Sequence, residues 1–149
     1  MTASDLDQVQ ALAGTIAEVP RWSQQEYERI LQSVPDSLVL RLAFVAESNA
    51  QLVAFAVIRL VHGDETAELE TIVVDPKHRR RRVGSQLLSC SMREAAAAGA
   101  TAMHLEVRAS NATAIAFYER SGFRRVGRRA LYYSAPSDDA MVFAAQLSA

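Results

Sequence analysis

Two segments of the chain combine residue types that could do chemistry. The first runs from Val73 to Ser85 and places a run of arginines between a strand-like stretch and an amphipathic helix pattern. The amides in the first turn of a helix lack partners within the helix and lie at the positive end of its dipole, so they suit a phosphate. Arginine adds planar, permanently charged donors. The segment predicts an anion site, although a solvated basic loop remains an alternative.

The second segment holds a carboxylate and a phenol. Glu106 falls on the polar side of a strand in which apolar and polar residues alternate over 103–108. Tyr118 lies two turns into the helix pattern that follows Asn111, which suits a helix N-cap. If both side chains reach one cleft, they could serve as base and acid. A solvated glutamate and a packing tyrosine are the ordinary alternatives for each residue alone.

Composition limits the classes of protein to consider. The chain has 149 residues with a net charge of -1, which predicts one domain over 1–149 and argues against a general nucleic-acid binder. No apolar run approaches the roughly 18 residues of a membrane span, and the first residues do not resemble a secretory signal, so we expect a cytoplasmic protein. One cysteine and no zinc-ligand spacing predict no metal site.

The order of the elements predicts a mixed sheet. Helices are expected over 5–17 and 23–33, with Ser23 as an N-cap, and three strands over 38–47, 52–61 and 68–74. A helix over 84–98, a strand over 103–108, a helix ending at 121–122 and strands over 126–133 and 140–147 follow. This α/β order predicts a mixed sheet with helices on both of its faces.

Three motifs together resemble a known family. They are the loop Arg79 to Gly84, the run LEVRASNATAIAFYERSGF at 105–123 and the run GRRALYY at 127–133. They resemble the GCN5-related N-acetyltransferase (GNAT) superfamily, whose acetyl-CoA loop reads Q/R-x-x-G-x-G/A. More narrowly they resemble the RimI-type bacterial ribosomal-protein-alanine N-acetyltransferases. The resemblance is close over about 68–147. It departs at Arg82, which stands where the loop has its first glycine.

The resemblance implies a fold and a cosubstrate. The fold would be a mostly antiparallel sheet with a central splay, and the cosubstrate acetyl-CoA, without a metal. The pyrophosphate would rest on the amides of the arginine loop, and the pantetheine arm would pair along the strand that ends at Val74. The residues implied to contact acetyl-CoA are Ile72, Val73, Val74, Arg79, Arg80, Arg81, Arg82, Val83, Gly84, Ser85, Asn111 and Tyr118.

Family analogy also assigns the reaction. Glu106 would be the base, directly or through water, and Tyr118 would protonate the leaving thiolate. Glu70 is a rival base and would line the acceptor site. Tyr132 and Tyr133 are the other expected acceptor-site residues, whereas Arg128 and Arg129 are interpreted as solvated or structural.

The sequence leaves three functional hypotheses open. The resemblance favours acetylation of a protein N-terminus, with a small-subunit ribosomal protein as the expected target. An α-amino group has a pKa near 8 and a lysine side chain one near 10.4, so a weaker base is enough to deprotonate the α-amino group. The alternatives are an acetyltransferase of a small amine or a lysine side chain, and a non-catalytic acyl-CoA-binding module, which the departure at Arg82 supports. Specific nucleic-acid binding would rest on the arginine run alone.

Overall fold

The computed structural model describes residues 1–15, 22–32, 38–79, 81–134 and 136–148. The helices are α1 (Leu6–Gly14), α2 (Gln24–Leu31), α3 (Val83–Ala97) and α4 (Ala112–Arg120). The strands are β1 (Val39–Ser48), β2 (Gln51–Val61), β3 (Thr66–Val74), β4 (Ala102–Arg108), β5 (Arg124–Tyr133) and β6 (Asp138–Gln146). Short 3-10 helices cover Ala3–Asp5 and Pro76–His78. No helix in the described ranges is long and apolar enough to cross a bilayer.

The sequence predicted the order of these helices and strands, and most of their ends to within two residues. α2 begins after Ser23, whose hydroxyl accepts from the amide of Glu26 while the Glu26 carboxylate accepts from the amide of Ser23, a capping box. Asn111 caps α4 through its side-chain oxygen, which accepts from the amide of Ala114, without a reciprocal bond. α1 ends at Gly14, earlier than expected. The predicted helical residues 16–17 and 33 lie outside the described residues.

All six strands form one mixed sheet in the order β1-β2-β3-β4-β6-β5. β3 and β4 are parallel because α3 crosses between them, whereas the other neighbouring pairs are antiparallel. Helices cover both faces. Ile58 of β2 packs with Leu88 of α3 on one face, and Phe55 packs with Val9 of α1 and Tyr27 of α2 on the other. The predicted mixed sheet with two-sided helices is confirmed.

The sheet opens between its two central strands. β3 and β4 pair only over Thr66 to Glu68 and Ala102 to His104. Residues 69–74 of β3 and 105–108 of β4 have no ladder partner across this boundary. The two strands therefore diverge toward their carboxyl ends and leave a wedge-shaped cleft with free backbone N–H and C=O groups along its walls. This is the central splay that the family resemblance implied.

Candidate active site

The N-terminus of α3 stands at the mouth of this cleft. The first helical hydrogen bond runs from the amide of Gln86 to the carbonyl of Arg82, 3.0 Å. The amides of Val83, Gly84 and Ser85 therefore have no intrahelical acceptor, and no described side chain caps them. α2 and α4, by contrast, are capped by Ser23 and Asn111. The start of α3 thus offers unpaired donors at the positive end of a 15-residue helix.

The loop before α3 takes the backbone path that a glycine would favour. Arg82 has φ 62° and ψ 10°, in the left-handed region. A side chain there costs free energy, which is why the family pattern has glycine at this position. Gly84 lies beside β3 and α4, since a Cβ on it would lie 3.4 Å from Cγ2 of Val74 and 3.5 Å from the ring of Phe117, which is ordinary van der Waals contact.

Three arginines of the loop are free to bind an anion. Arg79, Arg81 and Arg82 are exposed and have no ion-pair partner among the described residues. Arg80, which was also predicted to contact acetyl-CoA, lies outside the described residues. The loop therefore brings unpaired guanidinium groups to the same end of α3 as its unpaired amides.

Other predicted coenzyme residues line the β3 wall or cap α4. Ile72, Val73 and Val74 belong to the part of β3 that lacks a partner toward β4. Asn111 uses its side-chain oxygen, Oδ1, to cap α4, 3.2 Å from the amide of Ala114. That contact leaves the side-chain NH₂ of Asn111 available to a ligand.

Glu106 lies on the other wall of the cleft, paired with an arginine. Its neighbours Leu105 and Val107 are buried in the α3 side of the core, so its carboxylate emerges on the opposite face. The Nη1 group of Arg129 donates to Oε1 of Glu106 at 2.7 Å. The guanidinium of Arg129 also stacks over the ring of Tyr132, 4.1 Å from its centroid. Arg129, interpreted from the sequence as solvated or structural, thus contacts both the carboxylate of Glu106 and the ring of Tyr132.

A wide irregularity in β5 positions these partners. Arg129 pairs with Ala140 and Tyr133 with Asp138, so residues 130–132 of β5 all stand opposite Asp139. The amide of Leu131, which has φ 50°, donates to Oδ1 of Asp139 at 2.8 Å. Arg128 pairs with the other oxygen of Asp139. The Leu131 amide and then the Arg128 guanidinium lower the pKa of Asp139, so the carboxylate that fixes the bulge stays charged.

Tyr118 of α4 is a partly buried phenol that packs against the α3 side of the core. Its ring packs against Phe117 and Phe123 at centroid distances of 5.2 and 5.8 Å. Burial, and then the nearby phenol of Tyr133, raises the pKa of Tyr118 to about 12. Burial and then the charge of Glu106 raise the pKa of Tyr133 to about 12 as well. Tyr133 thus lies within electrostatic range of both Glu106 and Tyr118, and links the two residues that family analogy assigned as base and acid.

Glu70 occupies a different setting. It is the extra residue of a bulge in β3, where Thr71 pairs with Val57 and Leu69 with Ile58. The Nε and Nη2 groups of Arg41 donate to its two carboxylate oxygens at 2.9 and 3.0 Å. Both oxygens of Glu70 are therefore engaged, so this geometry favours Glu106 over Glu70 as the base.

Comparison with known proteins identifies the family. Residues 7–123 match the acetyltransferase (GNAT) family. The chain belongs to this family. Its sequence is 38% identical over 109 residues to the [ribosomal protein bS18]-alanine N-acetyltransferase of Escherichia coli (strain K12), with 72% of each chain covered.

Solved structures support the GNAT assignment. The crystal structure of the ribosomal-protein-S18-alanine N-acetyltransferase from Escherichia coli superimposes with a TM-score of 0.83 at 30% identity, covering 100% of this chain and 92% of that one. An acetyltransferase-family protein of Bacillus anthracis str. Ames, solved with acetyl coenzyme A, superimposes with a TM-score of 0.67 at 25% identity, covering 72% and 63%.

This GNAT chain is an N-acetyltransferase, and its family uses acetyl-CoA as acetyl donor. Sequence reasoning missed two residues of the site, the Arg129 partner of Glu106 and the Asp139 anchor of the β5 bulge. Both contacts depend on the three residues of β5 that face one residue of β6. A run of alternating residues gives no signal for such a register.

Proposed function

We propose that the chain binds acetyl-CoA and transfers its acetyl group to the N-terminal α-amino group of a protein, as the RimI-type relatives do. The observation that supports this most directly is the cleft between β3 and β4. The unpaired amides of α3 lie at its mouth, and Glu106, Tyr133 and Tyr118 lie along it. The mouth of the cleft, at the start of α3, suits a diphosphate. The part of the cleft beside Glu106, Tyr133 and Tyr118 suits proton transfer.

The residues present fit the coenzyme. The amides of Val83, Gly84 and Ser85, together with the arginine loop, suit the pyrophosphate by charge and by donor geometry. The unpaired edge of β3 up to Val74 suits the amides of a pantetheine arm, which would extend the sheet as an added strand. When bound there, acetyl-CoA supplies a thioester-activated acetyl group. The neighbour solved with acetyl coenzyme A supports the choice of this coenzyme.

Tyr118 suits the role of proton donor to the leaving sulfur. With a pKa of about 12, its phenol remains protonated at neutral pH. Its hydroxyl makes no hydrogen bond within the described part of the chain, so it is free to donate to a ligand. A positioned donor of this kind contributes about 10²- to 10⁴-fold to a rate.

Glu106 suits the role of base. Its carboxylate is 24% exposed in the cleft, with Oε1 held by Arg129. A hydrogen bond to this carboxylate, and then burial, raises the pKa of Tyr132. An α-amino group has a reference pKa of about 8, so a carboxylate, directly or through one water, removes its proton more easily than that of a lysine near 10.4. This difference favours a protein N-terminus as the acceptor.

The proposed acceptor is a protein that begins with alanine. The Escherichia coli relative acts, by its name, on the alanine of ribosomal protein bS18. The exposed Tyr132 and the half-buried Tyr133 stand beside Glu106, where they would contact the first residues of such a peptide. A small-subunit ribosomal protein is therefore the partner that we propose.

An acceptor library tests this function. Acetyl-CoA and the purified chain are incubated with peptides that begin with alanine, with the same peptides carrying a blocked N-terminus and an internal lysine, and with free amines. Mass spectrometry should find acetyl groups on the α-amino nitrogen of the alanine peptides. Acetylation confined to free amines or lysines would overturn the acceptor class. Acetyl-CoA binding without any transfer would leave a non-catalytic binding module.

A further inference from the structure

The carboxylate assigned as base already has a cation bound to it. Arg129 donates to Oε1 of Glu106 at 2.7 Å, with no other hydrogen bond from its guanidinium among the described residues. The Arg129 side chain is 54% exposed and the Glu106 side chain 24%. An ion pair that water reaches this freely is weak and is exchanged at little cost.

The geometry around Arg129 allows its side chain to move away from Glu106. Its guanidinium lies 4.1 Å from the ring centroid of Tyr132, which is itself 47% exposed. The backbone of Arg129 is held by its pairing with Ala140 and by the hydrogen bond from the amide of Leu131, two residues further on, to Asp139. The side chain can therefore rotate away from Glu106 while β5 keeps its place.

The acceptor needs the same carboxylate. An α-amino group with a pKa of about 8 arrives at neutral pH mainly as an ammonium cation. It must give a proton to the base before its lone pair can attack, so the ammonium group has to approach Glu106, directly or through one water. Two cations, the arginine and the ammonium, thus compete for one carboxylate.

We propose that Arg129 is a displaceable counter-ion of Glu106. It holds the carboxylate in the cleft while no acceptor is bound, and it is exchanged for the ammonium group of the acceptor. Arg129 is a positioning residue in this scheme, since it acts through Glu106. The proposal rests on the proposed role of Glu106. It implies that the affinity for a cationic acceptor depends on how easily that acceptor displaces Arg129 from Glu106.

The test measures acceptor binding without turnover. The acceptor is the amine that the wild type acetylates best, and its control is the same molecule with the amino group replaced by hydrogen. Both are titrated calorimetrically in the presence of free coenzyme A. Arg129→Gln should tighten binding of the amine about two- to fivefold and leave the des-amino control unchanged. The KM for the amine should fall by a similar factor.

Arg124→Gln is the matched control. Arg124 pairs with Ala144 and so lies on the same face of β5 as Arg129, where it is exposed and outside the ion pairs of the described chain. Its variant removes the same charge without freeing Glu106, so amine binding should change by less than about 1.5-fold. A double-mutant cycle adds Glu106→Gln, in which the effect of Arg129→Gln on the amine should vanish.

Several results would overturn the exchange. They are unchanged or weaker amine binding in Arg129→Gln, equal tightening of the des-amino control, and an equal effect in Arg124→Gln. Failure of the proposed function looks different, because it would appear as the absence of acetylation in the wild type across the whole library. Acetylation with unaltered amine binding in Arg129→Gln would refute the exchange alone.

Discussion

Two glutamates compete for the role of base, and their partners separate them. Glu106 gives one oxygen to an exposed arginine, whereas Glu70 gives both oxygens to Arg41 at 2.9 and 3.0 Å. We expect Glu106→Gln to lower kcat about 10²- to 10⁴-fold with little change in acetyl-CoA affinity, since a general base contributes that much. Glu70→Gln should keep kcat within about threefold and lower stability by about 1 kcal/mol.

Steady-state kinetics and thermal unfolding of both variants check this prediction. Glu70→Gln is the matched control, because it makes the same chemical change in the neighbouring strand of the same cleft. The assignment fails if Glu70→Gln loses turnover while Glu106→Gln keeps it.

The raised pKa of Tyr118 leads to a prediction about how stability and turnover depend on pH. Its folded-state pKa of about 12 lies above the ordinary value of 10, mainly through burial. Its contribution to stability is therefore fully present below about pH 10 and is lost as the pH rises toward 12. Tyr118→Phe should lower kcat about 10²-fold or more, because the proton donor is gone.

Tyrosinate absorbance and pH–rate profiles test the Tyr118 prediction together. The tyrosinate step near pH 12 should be smaller in Tyr118→Phe than in the wild type, because Tyr133 titrates in the same range and remains in the variant. No loss of kcat that depends on Tyr118 should appear below about pH 10. Tyr27, also buried with a raised pKa but in the α1–α2 side of the core, gives the control variant Tyr27→Phe. Wild-type turnover in Tyr118→Phe would remove this phenol from the mechanism.

At the level of the elements, the start of α3 carries strain that a single change should relieve. Arg82 has φ 62°, where a side chain costs about 1 kcal/mol relative to glycine. Arg82→Gly should therefore stabilise the protein by about 1 kcal/mol and raise Tm by roughly 2–4 °C. Arg82→Ala, which removes the guanidinium and keeps the Cβ, should bring no such gain. Equal stabilisation by both variants would assign the effect to charge instead of backbone.

The bulge of β5 depends on one carboxylate. Asp139 binds both the amide of Leu131 and the guanidinium of Arg128. Asp139→Ala removes both contacts, so Tyr132 and Arg129 lose their fixed place beside Glu106. We expect kcat/KM for the acceptor to fall about ten- to hundredfold, because small misplacements in a site cost that much.

Asp139→Asn keeps an oxygen for the Leu131 amide and should lose less activity than Asp139→Ala. Amide hydrogen exchange at Leu131, measured by NMR, should speed up in Asp139→Ala and less in Asp139→Asn. Unchanged exchange at Leu131 together with lost activity would show that Asp139 acts by another route.

The helices and strands also show which structural features can be predicted from the sequence. The N-cap at Ser23 and the alternation of Met103, Leu105 and Val107 are local patterns, and both were predicted and found. The bulge at Glu70 and the three-residue bulge opposite Asp139 arise from pairing between distant strands. A one-residue change of register turns a side chain to the other face, so the partners of Glu70 and Glu106 could not be inferred from spacing.

At the level of the whole molecule, β2 joins the two sides of the core. Its Ala56 and Ile58 pack with α3, and its Phe55 and Val57 pack with α1 and α2. If the helices on either side of the sheet detached, one face of the buried strand β2 would be exposed to water. We therefore propose that residues 1–149 form one domain, and we expect it to unfold in a single cooperative transition.

Two probes and one ligand test this cooperativity. Trp22, the chain's single tryptophan, packs against Tyr27 at 5.5 Å and reports on the α1–α2 side, while far-ultraviolet circular dichroism reports on the whole backbone. Their midpoints should coincide. Acetyl-CoA at about 100 times its Kd adds about 2.7 kcal/mol and should raise both midpoints together by roughly 5–10 °C, although it binds on the α3 side. A tryptophan midpoint that stays in place while the backbone midpoint rises would mean that the α1–α2 layer unfolds independently of the coenzyme cleft.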